Sequence, residues 1–370
     1  MRILFTGGGT GGHIFPILAI FRSLKNRLPK ETEYYFVGPK TDGLETLTQE
    51  GIRVYAIIAG KLPRYITARI VVELIKIPTG MVLAIIALWR TMPDIVFGKG
   101  GYGTVPIVLA ARLFGIPVII HESDAIPGVA TRIAARFASA IAISFTDTLA
   151  WFPKARITGN PVRVTIKQGS RPQAQARWHI ALGEVILVLG GSQGAWQLNQ
   201  TILEAAPTLL EKTEIILQCG AKTHHTTLEL ARRILQKTPH LATLLHIDKF
   251  LDEKELADAY AISSLVVSRA GSGTLYENAL AAKPMLLIPL ESAAANHQKV
   301  NAAIFAKAGG AEIITQENLA PHLFSKKILT LLQNRPKLHQ MSQIVQHLAL
   351  PNAADDVASM IIENIPKALS

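Results

Sequence analysis

Short, nearly unbroken apolar runs recur along the chain, with longer stretches of helical periodicity between them. In the first half they are RILFT (2–6), YYFVG (34–38), VYAII (54–58), DIVF (94–97), PVII (117–120) and AIAIS (140–144). In the second half they are VILVLGG (185–191), EIILQC (214–219), ATLLHI (242–247), SLVVS (264–268), MLLIP (285–289) and AEIIT (311–315). Runs without polar alternation suit strands buried on both faces, and the segments between them suit crossover helices. The pattern predicts parallel sheets covered by helices on each side.

Each half opens alike, with a strand, a glycine-rich turn and a helix. The expectation is two Rossmann-like, doubly wound α/β domains in tandem, joined near TGNPVRVTI (158–166), where Gly159 and Pro161 mark the break. At 370 residues the chain is also longer than one usual core. The boundaries read as 1–162, 163–340 and a helical segment 341–370. The last helical stretch, 353–364, follows Pro351 and Asn352 and is expected to pack back on the first domain.

Charge separates the halves. The net charge is +11. Residues 1–160 hold 18 Lys and Arg against 10 Asp and Glu, and residues 161–370 hold 20 against 17. Such an excess invites nucleic acid, an anionic membrane surface or a phosphorylated substrate. Aromatics are only 6% of the chain and no nucleic-acid motif is present, which sets nucleic acid aside. A lone cysteine, Cys219, permits no disulfide framework and suits a reducing compartment.

The start of the sequence has no signal-peptide pattern. The greasiest window, ITARIVVELIKIPTGMVLAIIALWR (66–90), is interrupted by Arg69, Glu73, Lys76 and Pro78, and its uncharged part is too short for a transmembrane helix. It reads as two short helices broken around residues 78–80. Val71, Val72, Ile75 and Met81 would form an apolar surface edged by Lys61, Arg64, Arg69 and Lys76. Two meanings stay open, ordinary core helices or a patch that dips into anionic lipid.

The glycine turns carry the chemistry. TGGGTGGHIFP fits G-x-G-x-x-G at Gly7, Gly9 and Gly12, yet YYFVG runs into Pro39 and Lys40, with no acid for a ribose. A P-loop would need Lys and Ser or Thr where His13 and Ile14 stand. What survives is a helix N-terminus with backbone N–H groups open to an anion. FGKGGYGTVP (97–106), LVLGGSQGAWQLNQ (187–200) and SRAGSGTLYENALAAKP (268–284) repeat the device after later strands, where ligands bind in open α/β sheets.

Taken together, TGGGTGGHIFP, GGYGTVP, HESD, TGNPVR, LGGSQGA, RAGSGTLYENALAAKP and NHQKVNA resemble, in order and spacing, the bacterial MurG glycosyltransferases. The resemblance covers nearly the whole chain. It implies a GT-B fold, two doubly wound domains facing across a cleft. The activity it implies is inverting transfer of GlcNAc from UDP-GlcNAc to the MurNAc O4 of undecaprenyl-pyrophosphoryl-MurNAc-pentapeptide (lipid I), giving lipid II for peptidoglycan. It also implies a peripheral enzyme on the cytoplasmic face of the inner membrane, with no transmembrane helix, and with other cell-wall synthesis or division proteins as partners.

Roles follow from the same resemblance. His13 is the proposed base, with Asp124 or Glu122 as the alternative. Thr10, Gly11, Gly12, Gly100, Gly101, Tyr102 and Asp124 would surround the acceptor. On the donor side, Gly191, Ser192, Gln193, Gly194 and Arg163 would hold the diphosphate, and Ser272, Gly273 and Thr274 would lie along the nucleotide. Glu277 would take the ribose hydroxyls, Leu251 the uracil, and His297 and Gln298 the sugar, with Asn301 supporting their helix. No D-x-D motif occurs, so neither a metal nor another cofactor is expected. This chain has HESD where many relatives read HEQN, and His297–Gln298 where many carry paired glutamines. The rival readings are a glycolipid synthase of the same fold, a UDP-GlcNAc 2-epimerase, and a non-catalytic scaffold that keeps the nucleotide-sugar site. A panel of sugar donors separates the enzymes.

Overall fold

The computed structural model describes residues 1–8, 11–41, 43–60, 69–181, 183–191, 194–291 and 296–366, with only the backbone of residues 11 and 69–75. It divides into two compact units, Met1–Val162 with Leu350–Ser370, and Arg163–Ala349.

The first unit is built on a seven-stranded parallel sheet: β1 (Arg2–Thr6), β2 (Glu33–Gly38), β3 (Arg53–Ala56), β4 (Ile95–Gly98), β5 (Val118–Glu122), β6 (Ala140–Ile143) and β7 (Arg156–Ile157). Their order is β3-β2-β1-β4-β5-β6-β7, so the chain reverses direction across the sheet between β1 and β4. Residues alternate between two cores, which explains the unbroken apolar runs. Ile3, Phe5, Phe36 and Phe97 pack with Ile14, Ile17 and Phe21 of the helix Gly11–Arg27. Leu4, Val37, Val96 and Ile120 face the opposite layer, against Ala84, Leu88, Ile107 and Val108. Each such side chain contributes about 1.5–3 kcal/mol when fully buried.

The helix Ala353–Glu363 completes the first core, with Val357 and Ile361 buried beside the first helix. Ser23 Oγ donates to Asp355 Oδ1 at 2.5 Å, and Arg27 reaches the Asp355 carbonyl and Ser359 Oγ at 3.0 Å each. These contacts tie the end of the chain to its beginning.

The second unit repeats the plan with six parallel strands: β8 (Val185–Leu189), β9 (Glu214–Gln218), β10 (Leu245–Asp248), β11 (Leu265–Ser268), β12 (Met285–Leu287) and β13 (Ala311–Ile313). The order β10-β9-β8-β11-β12-β13 puts its reversal between β8 and β11. Ile186, Val188 and Leu217 enter one core, and Leu187, Ile216 and Val266 enter the other.

Two local expectations need correction. Residues 69–91 form one helix, Arg69–Thr91, instead of two, with Pro78 inside it. Proline denies one turn its hydrogen bond, but Pro78 lies on the exposed side, while Gly80 is buried against the chain that follows β3. A Cβ on Gly80 would stand 2.6 Å from the Ile58 carbonyl oxygen, so helix and chain approach backbone to backbone there. The run 242–247 also divides. Pro239–Ala242 is a helical turn with proline at its start, and the strand begins only at Leu245. Lys61 and Arg64 of the expected basic edge lie outside the described residues, as do the side chains of Arg69, Val71, Val72 and Ile75.

Candidate functional site

In the first unit the candidate residues gather at the carboxyl ends of β1, β4 and β5, beside the reversal in strand order. Gly12 and His13 lie in the first turn of the helix Gly11–Arg27, directly after the β1 loop. Thr10 lies outside the described residues. The loops after β1 and β4 touch through their backbones. A Cβ on Gly101 would be 2.8 Å from the Gly8 oxygen, and one on Gly8 would be 2.9 Å from the Gly103 nitrogen. Gly100 and Gly101 also have φ of 90° and 83°, in the left-handed region that favours glycine. Part of the glycine content therefore serves this packing. Thr104 Oγ1 closes the β4 loop by donating to the Gly100 carbonyl at 2.7 Å. His13 is half-buried, and its Cβ lies 3.4 Å from where a Gly7 Cβ would stand.

Beneath these loops is a polar cluster whose central member the sequence reading missed. Lys99, at the end of β4, is 2% exposed. Its ammonium donates to His121 Nδ1 at 2.9 Å, to Ser123 Oγ, and to Asn160 Oδ1 at 3.3 Å. Burial pushes Lys99 down to about 8, against the opposing pull of Glu122 and Asp124. Burial, with the Lys99 charge, also holds His121 well below the usual imidazole range. His121 is thus neutral. Its Nε2–H donates to the Gly159 carbonyl at 2.8 Å, which leaves Nδ1 as the acceptor for Lys99. Glu122 accepts from the Asp124 N–H at 3.0 Å and the Gly128 N–H at 3.2 Å. Burial, reinforced by the Asp124 charge, raises the Glu122 carboxyl. Of the three candidate bases, His13 sits on the first helix, while Glu122 ends β5 and pins the following loop, which carries Asp124.

In the second unit the turn after β8 leads into the helix Trp196–Leu209. Gly191 and Gly194 have φ of 79° and 85°. Ser192 and Gln193 lie outside the described residues. Asn199, fully buried, donates to the Cys219 carbonyl at 2.9 Å and to Thr223 Oγ1 at 3.1 Å, fastening the helix to the end of β9. Gln218 joins two candidates. Its backbone oxygen accepts from Gly190 N–H at 3.1 Å, and its side-chain oxygen accepts from Leu251 N–H at 3.1 Å. The Leu251 N–H, which would read uracil, is thereby held by the protein itself.

Ser272, Gly273, Thr274 and Glu277 share the helix Ser272–Leu280. Arg163 Nε and Nη2 both reach Glu277 Oε1, at 2.8 and 2.7 Å, with both side chains buried. Two residues read separately, as diphosphate and ribose ligands, are thus one ion pair. The fully buried Tyr260 lies within their electrostatic reach, and its hydroxyl is among the buried polar atoms without a hydrogen bond. Gln298, in the helix His297–Ala308, accepts from Leu290 N–H at 3.0 Å. Asn301 Nδ2 donates to the Ala270 carbonyl at 3.4 Å, joining that helix to the 268–274 turn.

Among the described residues no group of three or more His, Cys, Asp or Glu could hold a metal ion. Family models match both units. The glycosyltransferase family 28 N-terminal domain matches residues 3–143, and the C-terminal domain matches residues 185–357. The UDP-N-acetylglucosamine–N-acetylmuramyl-(pentapeptide) pyrophosphoryl-undecaprenol N-acetylglucosamine transferase of Treponema denticola is 35% identical over 369 residues, covering 94% of this chain and 93% of the relative. The crystal structure of Acinetobacter baumannii MurG superposes with a TM-score of 0.71 at 28% identity, covering 98% and 99% of the two chains. A Neisseria meningitidis UDP-GlcNAc 2-epimerase bound to UDP-GlcNAc gives 0.67 over 98% and 100%, but at 14% identity this likeness is one of fold.

Proposed function

The chain belongs to glycosyltransferase family 28, and from that premise we propose how its two units divide the work of making lipid II. It is a transferase that moves GlcNAc from UDP-GlcNAc to undecaprenyl-pyrophosphoryl-MurNAc-pentapeptide. The observation that carries this is the 35% identity, over 94% of the chain, to a relative named for that reaction. A glycolipid synthase and a 2-epimerase are disfavoured on the same ground.

The second unit holds the donor. The N–H groups of the 190–194 turn, with Ser192 and Gln193, take the diphosphate at a helix N-terminus. Ser272, Gly273 and Thr274 flank the nucleotide, and Leu251 borders the uracil. Glu277 receives the ribose hydroxyls, and its partner Arg163 supplies a fixed cation for the departing UDP. His297 and the amide of Gln298 read the sugar hydroxyls.

The first unit holds the acceptor. Residues 10–12 and 100–102 surround the pyrophosphate and Asp124 contacts the acceptor. His13 removes the proton from O4 as that oxygen displaces UDP from the anomeric carbon, giving inversion in one step. The charge developing on UDP is stabilised by the turn and by Arg163, while the proton rests on the imidazole.

The first unit also meets an anionic membrane surface, on the cytoplasmic side where the soluble donor is available. Val82, Ile86 and Trp89 fall on one face of the Arg69–Thr91 helix and are exposed. Leu113, at the end of the Thr104–Leu113 helix, and Phe114 after it are exposed too, with Arg112 before them in sequence. No described helix is long and apolar enough to cross a membrane.

The test is transfer of radiolabelled GlcNAc to a short-chain lipid I analogue, with UDP-Gal and UDP-Glc as competing donors. Wild-type enzyme is expected to use UDP-GlcNAc alone. His13→Ala is expected to lose about 10²–10⁴-fold in turnover with UDP-GlcNAc binding retained. Turnover on UDP-Gal or UDP-Glc in its place would point to a glycolipid synthase. An unimpaired His13→Ala would move the base to Glu122 or Asp124.

A further inference from the structure

Lys99 is a buried charged group that the proposed mechanism leaves unused. An ammonium has three protons, and here each has an acceptor: His121 Nδ1, Ser123 Oγ and Asn160 Oδ1. No proton is left for a substrate, so Lys99 is neither the acid nor a nucleophile. Its partners decide its use. His121 and Ser123 flank Glu122, and Ser123 precedes Asp124, so the lysine grips the chain on both sides of Glu122 and directly before Asp124. Glu122 in turn binds the N–H groups of Asp124 and Gly128. On its other side Lys99 is joined to the end of β1, where its N–H donates to the Thr6 carbonyl at 2.8 Å, and it borders the glycine loop that follows, its Cβ 3.5 Å from where a Cβ on Gly7 would stand. It is followed directly by Gly100 and Gly101.

We propose that Lys99 is a positioning residue for the anionic acceptor, holding the 121–128 loop against the two glycine loops and offsetting the negative charge of Glu122 and Asp124. This rests on the reading that the first unit takes a lipid-linked pyrophosphate. The chemistry explains how an aspartate can stand beside such a ligand. Uncompensated, Glu122 and Asp124 would repel the phosphates. With a buried cation beneath them, the potential at the loops stays open to an anion. A buried, desolvated ammonium is costly to keep, which is difficult to explain by packing alone, because methionine fills a similar volume with no charge.

The titratable groups acting on Lys99 are His121, Glu122 and Asp124. Of these, His121 stays neutral across the working range. As pH rises through about 8, Lys99 gives up its proton and the cluster becomes more negative. Acceptor affinity should therefore fall on the alkaline side.

The experiment measures kcat and KM for UDP-GlcNAc and a short-chain lipid I analogue, from pH 6.5 to about 9, in wild type, Lys99→Met, Asp124→Asn and the double variant, with thermal melting of each. Lys99→Met is expected to fold and to raise the acceptor KM about tenfold or more, with the donor KM unchanged. It should also lose the alkaline rise in acceptor KM expected of wild type. Adding Asp124→Asn should recover part of the loss, because it removes a negative charge that Lys99 offsets. An acceptor KM unchanged in folded Lys99→Met would overturn the proposal. So would a fall in melting temperature with equal losses for donor and acceptor, which marks a structural cation only. Inactive wild-type enzyme on the lipid I analogue would instead overturn the acceptor reading itself.

Discussion

Arg163 and Glu277 show what a residue-by-residue reading can and cannot reach. Each has a side chain suited to UDP, and each was recognisable from its motif, GNPVR or LYENALAAKP. Their pairing was not legible, because 114 positions separate them and no local pattern links them. The structure commits two of the three guanidinium nitrogens, Nε and Nη2, to a single carboxylate oxygen, Oε1, with both groups desolvated. Removing either partner leaves a buried charge alone, which costs about 3–5 kcal/mol. Arg163→Met and Glu277→Gln should each lower the denaturation midpoint substantially, and the double variant should lose less than the sum. A double-mutant cycle by chemical denaturation checks this, and additive losses would mean that the pair is not coupled. Lys99 was overlooked for a similar reason. In FGKGG it reads as a loop lysine, and only the fold brings His121, Ser123 and Asn160 around it.

Among the elements, most strands were legible, while the two-residue β7, the start of β10 and the helix ends were not. The central β runs are apolar on both faces because those strands feed two cores, so the pattern is strong there. The glycine turns were visible too, but their contact with each other, Gly8 against Gly101 and Gly103, is a tertiary fact without a sequence signal. Pro78 misled because the local rule, that proline ends a helix, is outweighed by packing along the Arg69–Thr91 helix. That explanation makes opposite predictions for neighbouring residues. Pro78→Ala restores a backbone hydrogen bond on an exposed turn and should raise the melting temperature. Gly80→Ala drives a methyl into the Ile58 carbonyl and should cost about 1–3 kcal/mol. If both raise the melting temperature, as helix propensity alone would have it, the close approach at Ile58 is not what holds this helix.

For the whole molecule, charge and apolar surface coincide on one unit. Most of the positive excess lies in residues 1–160, and the same unit exposes Val82 at 55%, Trp89 at 67% and Leu113 at 72%. Neither feature suffices alone. A basic surface attracts anionic headgroups by about 1 kcal/mol per cation near the bilayer and is screened by salt. A few apolar side chains gain affinity by leaving water, at roughly 25 cal/mol per Å², but a short exposed face anchors weakly. Acting together they would give the reversible attachment proposed above, which suits an enzyme whose acceptor is lipid-linked while its donor is soluble. Co-sedimentation with phosphatidylglycerol-rich vesicles should therefore weaken both with added salt and in Trp89→Ser/Val82→Ser. The variant should bind about tenfold less. Its turnover on a short-chain, water-soluble acceptor should match wild type, because both residues belong to the Arg69–Thr91 helix and neither is among the candidate site residues. Its turnover on vesicle-embedded acceptor should fall in step with binding. Equal losses on both acceptors would mean that the substitutions disturb the unit itself. Undiminished vesicle binding would move the membrane contact to another face of the first unit.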